Sequence, residues 1–221
     1  MRLSKQQTAE NHRRIVEAAT RLFRQYGFDR VGVAELMREA GFTHGGFYNH
    51  FESKEALAAE ACEHVFARAN AALADRLRTR HASALQTYVA EYLAPERVNA
   101  PNDDATLATL VADASRQSSH VQNTFAAGIE ATLVTLTGYF AGRAAESTRI
   151  ALRAGRRQAV QRLSALVGAW VLARAVSRAR PELSKEILAA NADNRSRVLG
   201  SRAERRTGRT VGRATTTRSR R

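Results

Sequence analysis

Apolar residues recur along this chain at the three-and-four spacing of amphipathic helices, and no sustained alternating strand pattern stands out. Ile15, Ala18, Ala19, Leu22 and Phe23 form one such stripe, which stops at Gly27. Val33, Leu36, Met37 and Ala40 form a second, shorter stripe that stops at Gly41. Phe47 and Phe51 are four apart, so they share one face of a short third helix entered through Thr43. Ser53 opens a fourth, and Leu57, Ala61, Val65, Leu73 and Leu77 carry it to near Arg80.

The later pattern predicts a helix over 84–93, a loop over 95–104, and helices over 106–117, 119–140 and 152–178. Pro181 marks a turn into a last short helix over 183–192. All three prolines, at 95, 101 and 181, fall where a helical pattern stops or pauses. The expected fold is all-α with about nine helices. A three-helix N-terminal domain over 9–69, with its helix-turn-helix at about 32–51, is followed by a helical bundle over 70–192. From Arg195 onward no apolar stripe remains, and 193–221 reads as a basic, disordered tail.

Composition narrows the class. With 44% hydrophobic residues in 221, a sizeable core is available. The N-terminus has no apolar signal region and no membrane span is expected. Cys62 is the sole cysteine, which excludes an intramolecular disulfide framework and a cysteine metal cluster and fits a reducing cytoplasm. His12, His64, His81 and His120 are scattered at no ligand spacing, so neither metal nor other cofactor is expected. Ten arginines and one glutamate in the last 28 residues carry +9 of the net +14. Most of the basic signal, and its implied polyanion partner, belongs to the tail.

The stretch from Gly41 to Leu57, G-F-T-H-G-G-F-Y-N-H-F-E-S-K-E-A-L, says most about function. Two helices joined by a tight glycine-bearing turn make a helix-turn-helix. His44, Tyr48, Asn49 and His50 stand at its outward positions, donors and acceptors suited to phosphate oxygens and base edges.

Over its first 60 or so residues the chain resembles the TetR/AcrR family of transcriptional regulators. The resemblance rests on I-V-E-A-A-T-R-L-F at 15–23, Y-G-F at 26–28, V-A-E-L at 33–36, A-G-F-T at 40–43, G-G-F-Y-N-H-F at 45–51 and S-K-E-A-L at 53–57. It implies that His44, Gly45 and Gly46 begin a recognition helix close to bases. Tyr48, His50 and Lys54 then meet phosphates, and Thr43 and Ser53 add donors at helix N-termini. Asn49 joins this DNA-binding set as a base reader. Gly32 stands where the family usually carries Ser or Thr, and Ala34 where many relatives carry Arg, so the second helix contributes less contact.

The same resemblance implies a ligand pocket and a homodimer in the second half. Phe66, Tyr88, Tyr92, Phe125, Tyr139 and Trp170 are the candidate pocket aromatics. Gly168, Ala169, Ala173 and Ala175, interleaved with Trp170, Val171 and Leu172, give the long eighth helix a small-residue surface for close packing on its copy. The function implied is a repressor that binds a palindromic double-stranded operator as a homodimer and leaves it when a small apolar ligand binds. The alternative is a sequence-tolerant architectural DNA binder that uses the tail, whose other reading is a solvated segment. Cys62 is either a redox sensor or a buried small hydrophobe. No catalytic triad, phosphate-cradling loop or carboxylate pair occurs at mechanistic spacing, so an enzyme is not expected.

Overall fold

The computed structural model describes residues 4–78, 83–99, 106–142 and 149–192. Among these there are nine α-helices, one short 3-10 helix and no strand. They are α1 (Lys5–Tyr26), α2 (Val33–Glu39), the 3-10 helix His44–Asn49, α3 (Lys54–Arg78), α4 (Ala84–Tyr92), α5 (Pro95–Asn99), α6 (Thr106–Ala114), α7 (Ser119–Ala141), α8 (Arg149–Val176) and α9 (Pro181–Ala192). The expected tail at 193–221 and His81 lie outside the described residues.

Helix α1 begins well before its apolar stripe. The Ser4 side chain accepts from the Gln7 backbone N–H at 3.1 Å, Gln7 donates to Asn11 at 3.0 Å, and Arg13 pairs with both Glu10 and Glu17. A cap and one-turn pairs keep this polar segment helical. The loop expected over 95–104 instead opens with α5. Pro95 takes the first helical position, where a missing N–H is tolerated and its fixed φ is already helical. Residues 100–105, the rest of that loop, lie outside the described residues. Pro181 acts in the same way, starting α9 rather than preceding it.

Two cores meet along α3. The first gathers Ile15, Phe23, Phe28, Leu36, Phe47 and Phe51 with Leu107, Leu110, Val121 and Phe125 of α6 and α7. The second gathers Leu73, Leu77, Val89 and Tyr92 with Leu136, Leu166, Trp170 and Leu188. A run of aromatic contacts threads the first core from the N-terminal helices to α3 and α7: Phe23 to Phe28 at 5.2 Å, Phe28 to Phe125 at 6.4 Å, and Phe125 to Phe66 at 5.2 Å between ring centroids. Gly128 makes this close approach possible, because a Cβ there would lie 2.3 Å from Cγ of Phe66.

Helix α8 is long and apolar enough, by length and composition, to cross a membrane. Its apolar side faces the bundle, where Ala159, Leu166, Ala169, Trp170 and Ala173 are buried. Its outer side still exposes Leu172.

Candidate nucleic-acid interface and ligand cavity

The turn between α2 and the 3-10 helix is fixed by backbone chemistry. Gly41 adopts φ +80°, the left-handed region that glycine enters without a Cβ penalty. Its N–H donates to the Arg38 carbonyl at 3.0 Å, and the Phe42 N–H donates to Met37 at 2.8 Å. These paired bonds are a Schellman motif, which satisfies the last carbonyls of α2. From α1, Arg14 donates to the Ala40 carbonyl at 3.0 Å and lays its guanidinium over the Phe42 ring at 4.9 Å. Arg14 thereby ties the first helix to the turn, a role no local pattern announces.

The recognition segment is a 3-10 helix rather than an α-helix. Gly46 donates to the Thr43 carbonyl at 3.1 Å and His50 to Phe47 at 2.9 Å, both spanning three residues. The adjacent Gly45 and Gly46 explain the weaker α preference, since each costs about 1 kcal/mol relative to Ala. Thr43 occupies the N-cap position in extended conformation, but its hydroxyl makes no capping bond, and neither does Gly32 at the start of α2. Phe47 and Phe51 are buried and 5.6 Å apart. They anchor the segment from beneath. Thr43, His44, Gly45, Tyr48 and Asn49 are exposed, Gly46 is half-buried over Met37, and the Tyr48 ring is 69% exposed with its edge against Phe47.

Ser53 does cap the next helix, accepting from the Ala56 N–H at 3.1 Å. The half-buried Lys54 follows it at the first position of α3. His50 is also half-buried, and burial, with the neighbouring His12, pushes its imidazole pKa below the ordinary value. His12 stacks on Phe51 at 4.4 Å and reaches Glu60 of α3 at 2.6 Å. His12 and Arg14 are the positioning residues that sequence reasoning missed. Their targets are 48 and 26 residues away, so only the fold reveals them.

A cavity with enclosed room of about 30 Å³, widening to about 400 Å³ with its solvent-filled mouth, lies between α3, α4, α6, α7 and α8. Of the six candidate aromatics, Phe66, Tyr88 and Tyr92 line it. Phe125, Tyr139 and Trp170 do not. Phe125 packs behind Phe66, Tyr139 pairs edge-on with Phe140, and Trp170 is fully buried beneath Arg174. Asn70 and Thr132 are polar lining residues that the sequence reading passed over. Asn70 falls on the Phe66–Leu73–Leu77 stripe of α3, and a polar residue on an apolar stripe was the available signal.

Cys62 is buried beside Phe23, Val65 and Leu110, and burial pushes its thiol up to about 12. It behaves as a small hydrophobe rather than a thiolate. Among the described residues no cluster of His, Cys, Asp or Glu could hold a metal ion.

These features define a class: an all-helical protein whose N-terminal helix-turn-helix is buttressed by a larger bundle. Residues 15–61 match the bacterial regulatory proteins of the tetR family. The N-terminal domain of the chain is thus similar to the DNA-binding domain of that family. It is 44% identical over 55 residues to the HTH-type transcriptional regulator YerO of Bacillus subtilis, covering 25% of this chain and 19% of that one. It is 48% identical over 46 residues to the A-factor receptor protein of Streptomyces griseus, covering 21% of this chain and 17% of the relative. The chain thus spans under a fifth of the length of these curated relatives. The reduced form of E. coli NemR superposes with a TM-score of 0.65 at 21% identity, covering 82% of this chain and 95% of that one. That likeness extends the shared fold through the bundle.

Proposed function

We propose that the chain is a sequence-specific, DNA-binding transcriptional regulator of the cytoplasm, a repressor that a small apolar ligand releases from its operator. The observation that carries this reading is the recognition segment. Its apolar side, Phe47 and Phe51, is buried, while Thr43, His44, Tyr48 and Asn49 face outward as donors and acceptors. Gly45 and Gly46 let backbone approach bases, His50 and Lys54 flank the segment for phosphate, and the Ser53-capped α3 adds a helix N-terminus. With few side chains to read bases, specificity rests on His44, Asn49 and DNA shape.

A homodimer gives the segment a two-fold partner for a palindrome. The outer face of α8, with half-buried Gly168 and exposed Leu172 and Ala175, and Leu183 of α9 supply a small and apolar surface for that contact. Two recognition segments must then sit about 34–36 Å apart to enter successive major grooves. Release follows when a ligand in the α3–α4–α7 cavity favours a different spacing and binds the two states unequally. Phe66 is the natural first mover. It lines the cavity and touches Phe125, which packs on Phe28 in the N-terminal core.

The test is Tyr48→Ala. Operator affinity should fall by about tenfold or more, with dimerisation and melting temperature unchanged, because the ring is outside the core. Unchanged operator affinity would remove the phosphate-contact assignment. The ten tail arginines favour a second reading, an architectural binder with steep salt dependence. A chain ending at Asp193 decides it, since an equal salt slope on random DNA eliminates the tail's part.

A further inference from the structure

We infer that the α3–α4–α7 cavity takes a neutral, flat aromatic molecule bearing one carbonyl, held by the side-chain amide of Asn70. This rests on the reading of the bundle as the ligand-responsive half. The cavity's enclosed room is about 30 Å³, the figure of about 400 Å³ being reached only when the open mouth is counted, so a ligand enters by parting the walls. No charged side chain lines the cavity among the described residues. A guanidinium at the rim, that of Arg76, lies over the Tyr88 ring at 5.7 Å and is paired with Glu91 at 3.2 Å. A carboxylate or phosphate entering this space would lose its water without gaining a counter-charge. A neutral ligand meets no such penalty.

Shape comes from the rings. Tyr88 and Tyr92 stand 6.0 Å apart with planes 36° from parallel, and with Phe66 they set three aromatic rings among the mostly aliphatic walls. The polar end is defined by what is already used. One N–H of Asn70 donates to the Gly128 carbonyl at 3.2 Å. The Thr132 hydroxyl lies 2.7 Å from Asn70 Oδ1 and 3.0 Å from the Gly128 carbonyl, which together engage its one proton. The amide is thus locked in orientation, and its second N–H is not used by either bond, on a residue that lines the cavity. A donor fixed in an apolar wall selects an acceptor, and a ketone or amide oxygen supplies one.

The experiment titrates the full chain with prodan, a neutral propionyl-substituted dimethylaminonaphthalene, and with the parent dimethylaminonaphthalene lacking the carbonyl. Prodan should bind saturably with blue-shifted emission, about tenfold tighter than the parent, the worth of one buried hydrogen bond. Neither anilinonaphthalene sulfonate nor octanoyl-CoA should displace it at concentrations where the parent does. Asn70→Leu should bring prodan and parent to within about twofold. If that variant fails to fold, Asn70→Asp, which keeps the shape and removes the N–H, should show the same loss. Absent prodan binding, a preference untouched by the folded variant, or displacement led by the anions overturns the inference. The same additions to the chain on a DNA fragment it has selected separate the two claims. Prodan that binds with this preference yet leaves DNA bound sinks ligand release and supports the cavity chemistry, whereas release by the anions alone does the reverse.

Discussion

The two cores of this protein are packed differently, and the contrast matches the two tasks the proposed function gives them. Around the recognition segment, Phe23, Phe28, Phe47 and Phe51 fill the interior, and the Schellman turn, Arg14, the Ser53 cap and the His12–Glu60 contact fix each connection. In the bundle, helices rich in Ala and Gly surround a cavity, Asn70 and Thr132 place polar groups beside it, and Arg162 and Arg174 are half-buried, their pKa values lowered by that burial. A surface that must match DNA gains from rigidity. A half that answers a ligand, as proposed for the bundle, needs room and a second arrangement of similar energy.

The largest expected effect contrasts Phe47→Ala with Tyr88→Ala. Phe47 is fully buried, so its truncation should cost about 3–5 kcal/mol and abolish DNA binding. Tyr88 borders a cavity already open, so its loss should cost about 1 kcal/mol. Equal shifts in chemical denaturation would erase the contrast. Next comes Gly128→Ala. The added Cβ meets the Phe66 ring itself, and overpacking of about 1–3 kcal/mol exceeds the roughly 1 kcal/mol gained in helix propensity. Melting should shift down and prodan binding weaken, because the displaced ring moves into the cavity. Unaltered prodan affinity would dissociate Phe66 from the pocket.

A smaller effect tests the connections in the N-terminal half. With the His50 pKa lowered by burial and by His12, the folded chain takes up this proton less readily than the unfolded one. The associated stability is whole above the ordinary histidine pKa and declines as pH falls through it. The melting temperature should therefore drop between about pH 7.5 and about pH 5.5, and His50→Gln should flatten that slope. An identical slope in the variant would rule His50 out. Smallest of all, native Cys62 should resist iodoacetamide at neutral pH, its thiol being pushed up to about 12. Rapid labelling without unfolding would show a looser first core.

The N-terminal half was largely legible because apolar spacing, capping residues and glycine punctuation agreed there. Phe47 and Phe51 spaced four apart pointed to burial, and both are buried. What escaped were contacts across sequence: Arg14 to Ala40 and His12 to Glu60 have no local signature. The polar start of α1 and the short α5 were missed for other reasons. A helix held by side-chain pairs shows no apolar stripe, and Pro95 reads equally as a breaker or as a first helical residue. The bundle was legible as helices but not as a cavity. Aromatic type alone could not tell Phe66, which lines the space, from Trp170, which fills a core elsewhere.

The most direct measurement is the affinity of the full chain for a fragment it selects from genomic DNA against random duplex, at about 0.15 M salt. A sequence-reading regulator should hold the selected fragment at least about 1,000-fold tighter, with two half-sites one helical turn or a multiple of it apart. A ratio near one, with affinity set by salt alone, would contradict the account and leave the arginine tail as the source of DNA binding.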